Sequence, residues 1–223
     1  MSNEQDFHFE VLPPGQQKLW PDLNHVAGLN YTLYGGSAIA LRLGHRQSVD
    51  FDFFSSAPQN SEMLSEAVPF LKSARQIQDE PDAKSYLVTV GGQDVKLSFF
   101  NRLTMGRVGS PSFTPDGVMR LASPEDLMAT KVKVIQQRVE AKDYQDLAAM
   151  CRAGYGLKKG LGAAETMFAP DFSPILSAKT MIYFEGGNLH ELSSLDRQTL
   201  VEAVNSLDFD NIPKIILASK DLA

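Results

Sequence analysis

The stretch from Tyr34 to Phe54, YGGSAIALRLGHRQSVDFDFF, constrains this chain more than any other. At its end Asp50 and Asp52 alternate with Val49, Phe51 and Phe53. Side chains two apart in a strand project from the same face, so both carboxylates point one way and the three apolar residues are expected to face a core. Two like charges so close repel each other unless a cation lies between them, and hard oxygen ligands suit Mg2+ or Mn2+. Upstream, Gly35-Gly36-Ser37 opens a short apolar segment, Ala38 to Leu43, that stops at Gly44. The pattern is that of a tight turn feeding a helix N-terminus, with a glycine cap at the other end. Such an N-terminus offers backbone N–H groups and partial positive charge to a phosphate. Alone, a Gly-Gly is usually a turn and a D-x-D a solvated edge strand. A phosphate cradle followed within one helix by a metal-holding strand has one economical use, a polyphosphate and its cation.

The rest of the composition narrows the class. A chain of 223 residues, 43% hydrophobic and 22% charged, can bury one large core or two small ones and is not a disordered polymer. A formal charge of −6 argues against a protein that coats nucleic acid without regard to sequence, though a local basic patch is compatible with it. The single cysteine, Cys151, excludes an intramolecular disulfide and a cysteine-based zinc cluster. The polar start MSNEQDFHFE has no signal-peptide pattern, and no apolar run approaches about 18 residues, so a soluble, cytoplasmic protein with no membrane partner is expected.

Taken in order, the first dozen residues are polar and expected to be loosely held, with Pro13-Pro14-Gly15 as a break. Gln16 to Ala27 has helix character interrupted near Pro21, Tyr31 to Tyr34 is a short strand, and Ser61 to Lys72 is a helix whose end Pro69 disturbs. Tyr86 to Val90 and Val95 to Phe100 form a hairpin through Gly91-Gly92-Gln93-Asp94. GRVGSPSFTPDG, between Gly106 and Gly117, is a connector. Ser123-Pro124-Glu125-Asp126 then starts a helix, with Ser as N-cap, Pro at the first position and an acid three residues after the cap. Beyond it the chain is helix-biased. The organisation expected is α/β (α+β) up to residue 118, followed by a mainly α-helical domain over residues 119–223.

The helical half carries a second constellation. Leu127, Met128, Val132, Val134, Ile135 and Val139 fall on one helical arc, with Lys131 in its middle and Lys133 on the opposite face. A lysine among apolar neighbours is costly unless an anion meets it or it snorkels outward. The expectation is a lysine without a partner until an anionic substrate arrives, so that its removal steadies the fold. In KDYQDLAAMC, Asp143 shares a face with Leu147 and Met150, and Asp146 sits at the border of that face. A helix-start role explains Asp143 better than Asp146.

Gly35 to Asp52, written G-G-S-A-x-x-L-R-L-G-H-R-x-S-x-D-x-D, resembles the first motif of the AbiEii-type nucleotidyltransferases. These belong to the DNA polymerase beta nucleotidyltransferase superfamily and include type IV toxin-antitoxin toxins. A-T-K-V-K followed by A-K-D-Y-Q-D-L is similar to the family's distal motif, in which a lysine and an aspartate complete the site. The resemblance maps these onto Lys131 and Asp146, with Asp143 a close competitor. It implies a nucleotidyltransferase-like mixed sheet flanked by helices, and transfer of a nucleoside monophosphate from an NTP to a hydroxyl. Asp50 and Asp52 would hold Mg2+ or Mn2+, and Gly35, Gly36 and Ser37 would cradle the triphosphate. Ser48 would reach a phosphate oxygen or a metal-bound water. Of the neighbouring basic residues Arg42, His45 and Arg46, the last is the better phosphate contact, and for His45 a structural hydrogen bond competes. The superfamily's third carboxylate is missing: Ser98 stands at its place, and Asp94 reads as a turn residue. The acceptors implied are tRNA ends, a protein hydroxyl or a small molecule, and the partner implied is a cognate antitoxin. Two other outcomes stay open, a binding module without turnover and an antibiotic-type small-molecule transferase. The region after Gly156 offers no motif.

Overall fold

The structure, a computed structural model, describes residues 7–59 and 61–223. The polar first six residues therefore lie outside the described residues. The chain divides into two compact units. A sheet unit takes the residues up to Gly106, Ser110–Ala122 and Ser219–Ala223. A helical unit takes Arg107–Gly109 and Ser123–Ala218.

In the sheet unit, Phe9–Val11 makes a 3-10 turn and Leu12 is buried, so these residues are not part of the loose start expected of the first dozen. Helix α1 (Pro14–Leu19) passes through a 3-10 turn at Trp20–Leu23 into α2 (Asn24–Gly28), the interruption falling at Pro21 as its fixed φ dictates. Strand β1 (Thr32–Tyr34), α3 (Gly35–Leu43) and β2 (Asp50–Phe54) follow, then α4 (Ser61–Ala67), β3 (Arg75–Glu80), β4 (Ala83–Val90), β5 (Gln93–Phe100), β6 (Ser112–Phe113) and β7 (Arg120–Leu121). They form one mixed sheet in the order β3-β4-β5-β2-β1-β7-β6. Strand β2 is central, antiparallel to β1 and parallel to β5. On one face Phe51, Phe53 and Phe99 are fully buried and pack with Tyr31, whose ring meets Phe99 edge-on at 5.3 Å. Val49 does not join them: it precedes β2 and is 59% exposed, because the strand begins one residue later than the alternation suggested.

The last five residues complete this unit. The Thr32 hydroxyl donates to the Leu222 carbonyl at 2.9 Å, Ser56 donates to Asp221 at 2.7 Å, and Leu222 is fully buried.

The helical unit comprises α5 (Pro124–Val134), α6 (Ala141–Arg152), α7 (Leu157–Phe168), α8 (Pro174–Met181) and α9 (Ser194–Asn205). Helix α5 starts as its capping sequence requires: Ser123 Oγ accepts from the Asp126 amide at 3.1 Å and donates to its carboxylate at 2.6 Å. The second oxygen of Asp126 accepts from the Val108 amide at 2.8 Å, which ties Arg107–Gly109 to this helix. Helices α5 and α7 meet closely because α7 offers Gly160, where a Cβ would lie 2.1 Å from Met128 Cγ. Helix α5 stops at Val134, so Val139 lies beyond it and is 41% exposed rather than part of its apolar arc.

Candidate active site

The acids of β2 are set by strand geometry. Burial alternates along Asp50–Phe54, with Phe51 and Phe53 buried and Asp50, Asp52 and Phe54 partly exposed on the other face. On its β1 side Tyr34 pairs with Asp52, and on its β5 side Lys96 pairs with Asp50 and Ser98 with Asp52. Paired residues of neighbouring strands share a face. Reading along β2, that face therefore carries Asp50 beside Lys96, then Asp52 beside Ser98, then Phe54 beside Phe100.

The glycine turn lies against the same face. Gly35 has φ +68°, and a Cβ there would lie 2.5 Å from Asp52 Oδ2, so only glycine lets the backbone run this close to the carboxylate. Gly36 and Ser37 follow in the first turn of α3. Ser37 is buried, and its proton goes to the Asp50 carbonyl. Its oxygen is 2.8 Å from Ser48 Oγ, so Ser48 donates to it. These two hydroxyls fasten α3 and the loop before β2 to the strand that carries the acids. Arg46, in that loop, donates to the Gln47 carbonyl at 2.9 Å. Arg42 is buried and donates at 2.9 Å to the carbonyl of Ala122, the residue that follows β7. Asp94 sits at the start of β5 and accepts from Thr89 at 2.6 Å, the local role its turn position suggested.

Among the described residues no group of three or more His, Cys, Asp and Glu is placed to hold a metal ion. The β2 pair nevertheless fits a divalent cation that draws the rest of its shell from a triphosphate and water, as Mg2+ commonly does. Ser98, in register with Asp52 and 3.3 Å from Ser85 Oγ, adds no third negative charge. Lys96, which sequence reasoning passed over, places a cation one strand from Asp50, at the usual spacing of about 4.8 Å between strand axes. Its signal was present in the alternation of Lys96, Ser98 and Phe100 with Val95, Leu97 and Phe99, the same period as β2.

The helical unit brings Lys131, Asp143 and Asp146 together. Lys131 Nζ is 2.6 Å from Asp143 Oδ1 and 2.6 Å from Asp146 Oδ2, and both carboxylates are fully buried. Arg138 closes the cluster with Nε 2.8 Å and Nη2 3.1 Å from the Asp143 carboxylate. The expectation of a lysine without a partner is corrected here: α6 turns both acids of KDYQD onto the ammonium, because residues three apart on a helix share a face. Burial works against the ammonium's charge, but Asp146 and Asp143 outweigh it and hold Lys131 above the ordinary lysine range. Burial likewise opposes ionisation of Asp143, yet the bonds from Arg138 and Lys131 keep its carboxyl below the usual range. Lys133 points elsewhere and donates to the Asp171 carbonyl.

Comparison with known proteins gives the family and the fold. Residues 23–203 match the family model "Nucleotidyl transferase AbiEii toxin, Type IV TA system". An uncharacterized protein of Aquifex aeolicus (strain VF5) is 31% identical over 160 residues, which span 70% of this chain and 74% of that protein. Among solved structures, an H. pylori protein presumed to be a nucleotidyltransferase superposes with TM-score 0.56 at 18% identity, covering 92% of this chain and 93% of that one. MenT4, a nucleotidyltransferase toxin of Mycobacterium tuberculosis H37Rv, does so with TM-score 0.52 at 13% identity, covering 85% and 82%. The two structures share the fold, and the family match extends over most of the chain: this protein belongs to the AbiEii nucleotidyltransferase toxin family.

Proposed function

We propose that this nucleotidyltransferase moves a nucleoside monophosphate from an NTP to an acceptor hydroxyl, with pyrophosphate leaving, and depends on Mg2+ or Mn2+ held by Asp50 and Asp52. The observation that carries the reading is the approach of the Gly35 backbone to the Asp52 carboxylate, on the face that Asp50 shares. A phosphate held by that turn would lie beside the carboxylate face. Bound there, a divalent cation would neutralise the phosphates and lower the pKa of the attacking hydroxyl. Gly35 and Gly36 offer backbone N–H groups to the triphosphate. Ser37 and Ser48 serve by holding Asp50 in place, and Arg46 meets a phosphate oxygen. Lys96 offsets charge beside Asp50. Lys131 and Asp146, with Asp143, are needed for transfer as well, the two acids keeping the lysine charged.

The acceptor we favour is an RNA hydroxyl such as a tRNA end, in keeping with the family's toxin character, and the partner is a cognate antitoxin. One observation favours a second reading: with Ser98 rather than an acid in register with Asp52, the unit could bind a nucleotide without turning it over. Incubating the protein with each labelled NTP, Mg2+ and total RNA separates the outcomes. Label on RNA supports the proposal, label on a small acceptor moves the substrate class, and no label anywhere favours the binding module.

A further inference from the structure

We infer that Phe54 and Phe100 form a shelf that stacks the base of the donor nucleotide, an inference that rests on the nucleotidyl-transfer reading above. The aromatic residues of β2 and β5 divide between the two faces of the sheet. Phe51, Phe53 and Phe99 are fully buried in the core on one side. Phe54 and Phe100 are in register with each other on the opposite side, the side of Asp50 and Asp52, and both remain partly exposed. The Phe54 ring lies parallel to Tyr34, with centroids 4.5 Å apart and planes 13° apart. Phe100 meets Phe54 edge to face at 5.2 Å. Tyr34 is buried behind this pair, so one face of Phe54 is supported and the remaining surface of Phe54 and Phe100 is what the sheet offers outward.

The order along the strand gives the shelf its ligand. Tyr34, which leads into the glycine turn, pairs with Asp52, whereas Thr32 pairs with Phe54. Phe54 is thus displaced from Asp52 by two strand residues, roughly 6.5–7 Å, in the direction away from the turn. A nucleotide with its β- and γ-phosphates at Gly35 and Gly36 and its α-phosphate beside Asp52 extends its sugar and base along that direction. What it meets there are two flat, apolar rings that carry no hydrogen-bonding groups of their own. Such a surface accepts any base through its π-face and distinguishes bases weakly. Placing an aromatic pair next to two carboxylates also makes the surroundings of the bound phosphates drier, which strengthens their interaction with charge.

Equilibrium binding of NTPs and of inorganic tripolyphosphate, each with Mg2+, tests the shelf. The wild type should bind ATP, GTP, CTP and UTP about tenfold or more tightly than tripolyphosphate, the gain typical of stacking one base. Phe100→Leu should remove most of that gap and leave tripolyphosphate affinity unchanged, while Phe100→Tyr should preserve it. Phe54→Leu should act like Phe100→Leu, with a melt alongside because Phe54 also packs on Tyr34. Equal wild-type affinity for NTP and tripolyphosphate, or a full gap in Phe100→Leu, would overturn the shelf and leave the transferase reading standing. If the wild type bound neither ligand, the transferase reading itself would fail, and the shelf with it.

Discussion

Two pairs of aspartates in this protein show how the same side chain is put to opposite uses. Asp143 and Asp146 are fully buried, and both reach one ammonium at 2.6 Å, with Arg138 bonded to the outer side of Asp143. The two acids find their countercharge in Lys131 of α5 and in Arg138 of the link between α5 and α6. Asp50 and Asp52 instead stay partly exposed on a strand face, with a glycine backbone drawn close to Asp52. A pair of carboxylates can be carried into a core only with its countercharge built in, because an uncompensated buried charge costs several kcal/mol. A pair kept at the surface can leave room for a cation that arrives with substrate. The buried pair is tied into the fold, and the exposed pair is the one to which the proposed function gives the chemistry.

The comparison breaks first if the β2 acids prove dispensable. Asp50→Asn and Asp52→Asn should each lower transfer by about a hundredfold or more, the scale of losing one electrostatic stabiliser at a reacting phosphate. Their melting temperatures should stay the same or rise slightly, since a like-charge repulsion has been relieved. Rates and melts measured together decide it, and full turnover in either variant would remove that acid from the site.

The buried pair should behave in the reverse sense. Lys131→Ala strands Asp143 and Asp146 without their shared cation and should cost about 3–5 kcal/mol in chemical denaturation. Lys133→Ala, two residues away, should stay within about half a kcal/mol. Equal losses would show that the ion-pair cluster does not support the fold. The pH dependence sharpens this. Asp143 is held below its unfolded value, so its contribution is present above about pH 4 and is lost as pH falls through the lower folded pKa. Lys131 is held above its unfolded value, so its contribution is present below about pH 10 and is lost as pH rises through the higher folded pKa. The stability gap between wild type and Lys131→Ala should therefore be flat from about pH 5 to 9. A gap that collapses near neutrality would contradict the pairing.

Smaller effects probe the edges of each region. Gly35→Ala should destabilise by about 1–2 kcal/mol through its left-handed backbone, and should impair transfer by pushing a methyl group against Asp52. Ser98→Asp places a third anion beside Asp52 and should tighten Mn2+ binding, read by direct titration. Unchanged binding would mean that the β5 position plays no part in holding the metal.

How much of this was legible in the sequence depended on range. The strand-turn-helix-strand core, the capped start of α5 and the opposition of Asp50 and Asp52 to Phe51 and Phe53 follow from local periodicity, glycine placement and capping chemistry. What escaped was nonlocal. Strand β3, RQIQDE, is exposed along its whole length and carries no hydrophobic alternation to announce it. The parallel register that puts Lys96 beside Asp50 joins segments more than forty residues apart. The exchange of Arg107–Gly109 and Ser219–Ala223 between units depends on hydrogen bonds such as Val108 to Asp126 and Thr32 to Leu222, which no composition reveals. Lys131 was legible as a buried lysine, but its partners were not, because a helical wheel treats each helix alone and the two acids come from the next one.

Joint binding of a divalent cation and a nucleotide at Asp50 and Asp52 is read from thermal melts with Mn2+ and a non-hydrolysable NTP. A ligand that binds only the folded state raises the melting temperature, by an increment that grows with the logarithm of its concentration over Kd. The wild type should melt higher with both present than with either alone, and Asp50→Asn/Asp52→Asn should lose this joint increase while melting normally without ligand. An equal joint increase in the wild type and the double variant would contradict the account.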